Sequence, residues 1–243
     1  MLGKKEIKDI QSLSHKKYRD ELNLFVAEGP KIINELIELV PQQIERVYGV
    51  KEWVQVNKQI AQKTSVVEIT EAELERLSQL QTPHQVIAVV KKFTSETPKA
   101  SPFVLYLDTI QDPGNFGTIV RIADWFALDN VVCSPGCADL YNPKVVQSTM
   151  ASIARVNVYY DEKEEWLKQQ SAPVFAATLQ GNSLYQHSKI SKGILIIGNE
   201  SKGIRKEILQ YATEQITIPK KGKAESLNAA VATGIILSHL LTA

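Results

Sequence analysis

Three short stretches of this chain carry residues that could do chemistry. The first is LDTIQDPGNFGTIVR, residues 107–121. An apolar run ends at Asp108, Pro113 and Gly114 turn the chain, and a helical pattern begins near Asn115. Asn115 and Arg121 are six apart, close to two helical turns, so with some tilt they can share a face. Gly117 between them lets a partner approach the helix closely. A helix N-terminus with an arginine nearby suits a phosphate. A capped helix whose arginine pairs with a surface acid explains the same spacing.

The second stretch is LIIGNESKGI, residues 195–204. An apolar strand delivers Gly198 to a turn with Asn199, Glu200 and Ser201 at its tip. Gly198 permits close backbone approach by a flat ligand, and Glu200 is the only acid in the turn. The third is ITIPKKGKAESLNAAVATG, residues 216–234. Pro219 and Gly222 shape a loop. Ser226 is expected to begin a helix with Asn228 in its first turn. Ala229, Ala230, Ala232 and Gly234 make that helix one of small residues. Taken singly, these stretches also fit an ordinary turn and a packed helix.

The elements that must position these residues follow from the apolar pattern. Lys91–Pro102, KKFTSETPKASP, is linker-like, rich in Ser, Thr, Pro and Lys without an apolar period. The division expected is a first domain over 1–92, a linker over 93–102 and a second domain over 103–243. In the first, LNLFVAEG reads as a strand, and Pro30 opens a helix over KIINELIELV. IERVYGV reads as a strand, KEWVQVNKQIAQK as a helix and SVVEIT as a strand. Thr70 and Glu73 form a capping box for the next helix, and QVIAVVKKF closes a small α/β layer. In the second, FVLYLD, NVVCS, RVNVYY, APVFAATL, GILIIGNE and EQITIP read as strands. Asn115–Leu128, Asn142–Ile153 and the charged DEKEEWLKQQ read as helices between them. Continuous apolar strands suit a mostly parallel sheet covered on both faces. Ligands of such sheets lie beyond the strand carboxyl ends, where turns follow Leu107, Thr178, Ile197 and Ile218.

Composition narrows the classes. The 243 residues carry a net charge of +1, so a nucleic-acid surface would have to be a local patch. Cys133 and Cys137 lie four apart with no second cysteine pair, so no metal is expected. No signal peptide is evident, and a cytoplasmic location is the default reading. A Rossmann-type reading lacks its G-x-G-x-x-G turn.

The order, spacing and residues of the three stretches together resemble the SpoU (TrmH-type) family of RNA 2′-O-ribose methyltransferases, in the SPOUT superfamily. Asn115, Gly117 and Arg121 match N-x-G-x-x-x-R. Gly198, Glu200 and Gly203 match the second motif. Ile218, Pro219, Gly222, Ser226, Leu227 and Asn228 match I-P-x-x-G followed by S-L-N. YRDELNLFVAEGPKIINELI is similar to the small RNA-recognition domain of many members. Ser201, Lys220, Lys221, Ala151 and Ile153 depart from the usual pattern.

The resemblance implies an α/β fold with a trefoil knot in its mostly parallel sheet. It implies S-adenosylmethionine as cofactor, held around Thr178, Leu179, Gly198, Ile218, Ser226 and Leu227. It implies a homodimer and an RNA substrate, ribosomal or transfer RNA. Arg121 would be central, with Asn115, Glu200 and Asn228 supporting it or the RNA. A guanidinium very rarely loses its proton, so Arg121 is expected to bind phosphate and stabilise charge rather than act as a base. Lys16, Lys17, Arg19, Lys220, Lys221 and Lys223 are candidate RNA contacts. A non-catalytic RNA-binding protein on the same fold is the alternative.

Overall fold

Two sheets of different character organise the chain. In the computed structural model, residues 2–60, 63–98 and 101–241 are described. Lys99 and Ala100 of the expected linker, and two residues of the helix read over 51–63, lie outside them. Contacts divide the chain into two units, residues 1–94 with 139–154, and residues 95–138 with 155–243.

The first unit holds strands β1 (Leu24–Glu28), β2 (Ile44–Val50), β3 (Val66–Ile69) and β4 (Val86–Lys91), in the order β1-β4-β2-β3. β4 is antiparallel to β1 and β2, while β3 runs parallel to β2. Helices α1 (Lys4–Ser12) and α2 (Lys16–Leu22) precede it. α3 (Pro30–Leu39), α4 (Lys51–Val56) and α5 (Glu71–Leu77) follow the pattern. Pro30 stands in the first turn of α3, where its missing N–H costs nothing. Thr70 Oγ1 accepts from the Glu73 N–H at 3.2 Å and Glu73 Oε2 from the Thr70 N–H at 3.0 Å, completing the capping box. The α4 helix stops at Val56 because the Asn57 side chain donates back to the Trp53 carbonyl at 2.8 Å.

Arg19 is not an RNA-facing residue. Its side chain is buried, donates to the Leu13 and Ser14 carbonyls, and pairs with Asp139 at 2.6 Å. Helix α7 (Pro143–Thr149), capped by Asn142, packs on β1 in the same unit.

The second unit is a six-stranded, wholly parallel sheet in the order β10-β8-β9-β5-β6-β7. Its strands are β5 (Phe103–Asp108), β6 (Asn130–Cys133), β7 (Asn157–Tyr160), β8 (Val174–Ser183), β9 (Gly193–Gly198) and β10 (Glu214–Thr217). β5 is buried throughout and β9 nearly so, as continuous apolar runs demand. Helices α6 (Pro113–Trp125), α8 (Lys206–Leu209) and α9 (Ala229–Leu241) cover the sheet. Gly234 of α9 faces Ile122 of α6 at an ordinary contact distance, with room for a Cβ, so the small-residue helix makes no specially close approach there.

Three expectations fail for identifiable reasons. Residues 161–170 form no helix beyond a 3-10 turn at Leu167–Gln169. The Asp161 carboxylate takes the N–H groups of Glu165 and Trp166, which competes with a helical ladder. Trp166 then enters the core, stacked on Tyr106. No turn follows Thr178, because β8 continues to Ser183 by pairing with β10 across a register shift. Helix α9 starts at Ala229 rather than Ser226, since Asn228 caps it.

The end of α6 makes a clean stability prediction. The Leu128 N–H donates to the Ala123 carbonyl and the Ala127 N–H to that of Asp124, the paired bonds of a Schellman motif. Ala127 occupies its left-handed position at φ +55° and is exposed. Ala127→Gly is therefore expected to stabilise the protein by about 1 kcal/mol. Urea unfolding would show a higher midpoint with an unchanged slope.

Candidate functional site

The three stretches meet at the carboxyl ends of β5, β9 and β10. Asp112 caps α6 by accepting the Asn115 N–H at 2.8 Å. This places the Asn115 side chain beside the turn that follows β9. Asn115 Nδ2 donates to Glu200 Oε1 at 2.7 Å. Asn228 Nδ2 donates to Asn115 Oδ1 at 2.6 Å. Asn228 Oδ1 accepts the Ala230 and Val231 N–H groups at 3.0 and 3.1 Å. One residue from each stretch thus enters a single hydrogen-bonded chain.

Arg121 does not join it. It is exposed on α6, and among the described residues it makes no hydrogen bond or ion pair. Six positions at 3.6 per turn leave it well off the azimuth of Asn115, so the shared face expected from the spacing does not form.

Beside this chain lies a cavity of about 1010 Å3. That is at the upper end of the ~300–1,000 Å3 of small-molecule sites. Thr178, Leu179, Gly198, Ile218, Ser226 and Leu227 all line it, and Glu200 stands on its wall. Lys202, Lys220 and Lys221 add positive charge at its rim, all three exposed.

Two features suit a polar, flat ligand. The Thr178 hydroxyl is buried and has no hydrogen-bond partner among the described residues, an arrangement that costs free energy unless something fills it. Gly198 is pressed against the chain that returns from the turn. A Cβ there would sit 2.5 Å from Gly203 C and Ile204 N. Gly198→Ala must therefore push the turn into the cavity. Its expected effect is a loss of nucleoside-ligand affinity of at least about tenfold, read by calorimetry with S-adenosylmethionine as titrant.

Residues that sequence reasoning missed hold the turn in place. Asp108, at the end of β5, is fully buried. Its carboxylate accepts the Arg205 N–H at 2.7 Å and Arg205 Nε at 2.8 Å, and also the Ser134 hydroxyl at 3.0 Å. Arg205 also donates to Glu164. Burial is the largest single influence on the guanidinium and lowers its pKa, but the two acids together outweigh it and hold the group well above its ordinary value. Asn199 Nδ2 donates to the Thr109 carbonyl at 2.8 Å, while its Oδ1 accepts the Ser201 and Lys202 N–H groups. Gly203 closes the turn at φ +69°, in the left-handed region. The available signal was an acid ending a fully apolar strand and an arginine just past a glycine turn.

Neither cysteine is bonded to another: Cys133 is buried and Cys137 half-buried. Burial pushes the Cys133 thiol up, whereas its hydrogen bond lowers that of Cys137. Among the described residues, no group of three or more His, Cys, Asp and Glu side chains could hold a metal ion. No described helix is long and apolar enough to cross a membrane.

Comparison with known proteins places this geometry in a group. Residues 102–238 match the SpoU rRNA Methylase family, and residues 4–88 match the MRM3-like substrate binding domain. The chain is 32% identical to the 23S rRNA (guanosine(2553)-2′-O)-methyltransferase RlmP of Bacillus subtilis, across 97% of this chain and 95% of that protein. Its fold matches a TrmH-family protein from Porphyromonas gingivalis at a TM-score of 0.88 and 35% identity, covering 99% and 98% of the two chains. It also matches the AdoMet-bound rRNA methyltransferase of Sinorhizobium meliloti at 0.85 and 28%, covering 98% and 95%.

Proposed function

Because this chain belongs to the SpoU rRNA methylase family, we propose that it transfers a methyl group from S-adenosylmethionine to a ribose 2′-hydroxyl of ribosomal RNA. The observation that carries this reading is the meeting of three stretches in one hydrogen-bonded chain beside a cavity large enough for a nucleoside ligand. When bound, the cofactor supplies a methyl group on a sulfonium, whose sulfur leaves as a neutral thioether.

The residues present fit that cofactor. The Thr178 hydroxyl, left without a partner, offers a hydrogen bond to the adenine edge. Leu179 and Leu227, both well exposed, offer apolar contact to its faces. Gly198 keeps the wall of the cavity thin, and Ile218 and Ser226 complete it. Arg121 binds the RNA phosphate next to the target ribose and stabilises charge there. Asn115, Glu200 and Asn228 set the position of the hydroxyl. Lys220, Lys221 and Lys223 are exposed and add phosphate contacts.

Residues 1–94, with the segment 139–154 that packs in the same unit, serve as the RNA substrate-binding domain, and the parallel-sheet unit, residues 95–138 with 155–243, serves as the catalytic domain, in place of a simple division at a 93–102 linker. The match of residues 4–88 to a substrate binding domain supports the first of these. Within the catalytic domain the C-terminal segment threads the trefoil knot of the superfamily. The protein works in the cytoplasm as a homodimer. Trp125 on α6 and Val231 on α9 are exposed at 84% and 51%, an apolar surface that a second copy would cover.

Calorimetry with S-adenosylmethionine and mapping of 2′-O-methyl groups in total RNA, with and without the protein, test this function. Saturable cofactor binding and one ribosomal site lost on deletion are expected. A lost site in transfer RNA would redirect the substrate. Absent cofactor binding would favour a non-catalytic RNA-binding protein.

A further inference from the structure

The two cysteines take no part in the chemistry above, yet the fold brings them together. Cys133 ends β6, where it pairs with Leu107 of β5. Ser134, Pro135 and Gly136 then turn the chain, with Gly136 at φ +88° in the left-handed region. The Cys137 N–H closes that turn on the Ser134 carbonyl at 3.4 Å. Cys137 thereby returns to the same place, and its thiol donates to the Leu107 carbonyl at 3.3 Å. The two thiols lie within hydrogen-bond reach of each other. Cys133 is fully buried and Cys137 half-buried. Among the described residues, no third ligand stands by that would make the pair a metal site.

The surroundings separate their roles. The Cys133 thiol, the backbone N–H groups of Ile110 and Thr109 and the Ser134 hydroxyl favour a Cys137 thiolate over the cost of its burial, so that thiol sits below its ordinary pKa. Burial, and then the hydrogen bond to Cys137, keep Cys133 in its thiol form. From this juxtaposition we propose that Cys133 and Cys137 are a modification site, a thiol pair that a peroxide converts to an intramolecular disulfide, with Cys137 attacking first and Cys133 resolving it.

The step balances. The Cys137 thiolate attacks one oxygen of hydrogen peroxide. The S–O bond forms as the O–O bond breaks, and the departing hydroxide takes up the proton that Cys137 gave away. The Cys133 sulfur then attacks the Cys137 sulfur. The S–S bond forms, the S–O bond breaks, and the oxygen leaves as water with the Cys133 proton. Two thiols lose two electrons, and one peroxide becomes two waters. A small thiol reductant reverses the change by exchange.

Ser134 transmits it. This residue stands between the two cysteines, donates to Asp108 at 3.0 Å and accepts the Thr109 N–H at 3.0 Å. The Thr109 carbonyl in turn accepts Asn199 Nδ2 from the turn that follows β9. A disulfide draws the sulfurs closer than any hydrogen bond, removes the Cys137 donor from Leu107 and shifts Ser134 with them. The cavity wall that carries Gly198 and Asn199 then moves, so the oxidised form binds S-adenosylmethionine more weakly. That consequence rests on the function proposed above, whereas the disulfide itself does not.

The test treats the full-length protein with hydrogen peroxide, alkylates the remaining thiols and weighs the tryptic peptide 122–144, which holds both cysteines. The peptide should become two hydrogen atoms lighter and take no alkyl label, and dithiothreitol should reverse both. Cys133→Ala should stop at a sulfenic acid on Cys137, trapped by dimedone. Cys137→Ser should leave Cys133 reduced. Calorimetry should show the oxidised chain binding S-adenosylmethionine about fivefold or more weakly, with recovery on reduction. Cys137→Ser should bind equally before and after peroxide, which separates the pair from methionine oxidation. Two free thiols after peroxide, oxidation of Cys133 in Cys137→Ser, or unchanged affinity of the disulfide form would each overturn the proposal. Failure of the reduced chain to bind cofactor would instead overturn the function proposed above, and the mass of the peptide would still decide the disulfide.

Discussion

Arg205→Ala is expected to lower the unfolding free energy by about 3 kcal/mol, because it leaves the Asp108 carboxylate buried without its counter-charge. Asp108 is fully buried, and the Arg205 N–H and guanidinium both reach it. The Ser134 hydroxyl remains as a partner and softens the loss. The partial exposure of Arg205 means that little is gained in return from rehydrating it. Adding Asp108→Asn to Arg205→Ala removes the stranded charge and should recover part of the stability. A double-mutant cycle by urea unfolding measures this coupling. A loss below about 1 kcal/mol would mean that the pair is only a surface bridge. The same network fixes the turn that carries Glu200, so cofactor affinity should fall with stability.

The second large effect concerns Arg121. Arg121→Lys keeps the charge and discards the planar fork that grips a phosphate with two parallel hydrogen bonds. Methyl transfer is expected to fall by about 100-fold while cofactor affinity is unchanged. The unchanged affinity follows from its position, exposed on α6 and absent from the cavity lining. Near-normal turnover would sink the two-pronged contact and leave only a point charge. RNA affinity should weaken with rising salt, as phosphate contacts require.

Local patterns in the sequence account for much of this site. The continuous apolar runs of β5 and β9 declare a parallel sheet, because only strands covered on both faces can be written that way. The Pro-Gly and Gly-Asn turns declare where the strands stop. Thr178, Gly198 and Leu227 were placed through family likeness, and the structure lines one cavity with them. What stayed hidden depends on partners distant in the chain. Nothing near Arg19 announces that Asp139, 120 positions on, will bury it. The charged run 161–170 has a helix composition, yet Asp161 and Arg205 divert its groups into other bonds. The polarity of the Asn228–Asn115–Glu200 chain is equally invisible, since it follows from which N–H groups the end of α9 leaves free.

The segment 139–154 belongs by its contacts with residues 1–94, although its neighbours in sequence are strands of the parallel sheet. Tyr141 accepts the Phe93 N–H at 2.9 Å, and Val145 and Val146 are buried in helix α7, which packs on β1. A graft of the substrate-recognition half onto another enzyme, cut only near residue 94, would strip that half of one wall. It would also hand the recipient an orphaned greasy helix. The true seam in this protein has three cuts rather than one. Natural exchange of recognition halves would then have to carry a sixteen-residue passenger from the other side of the gene.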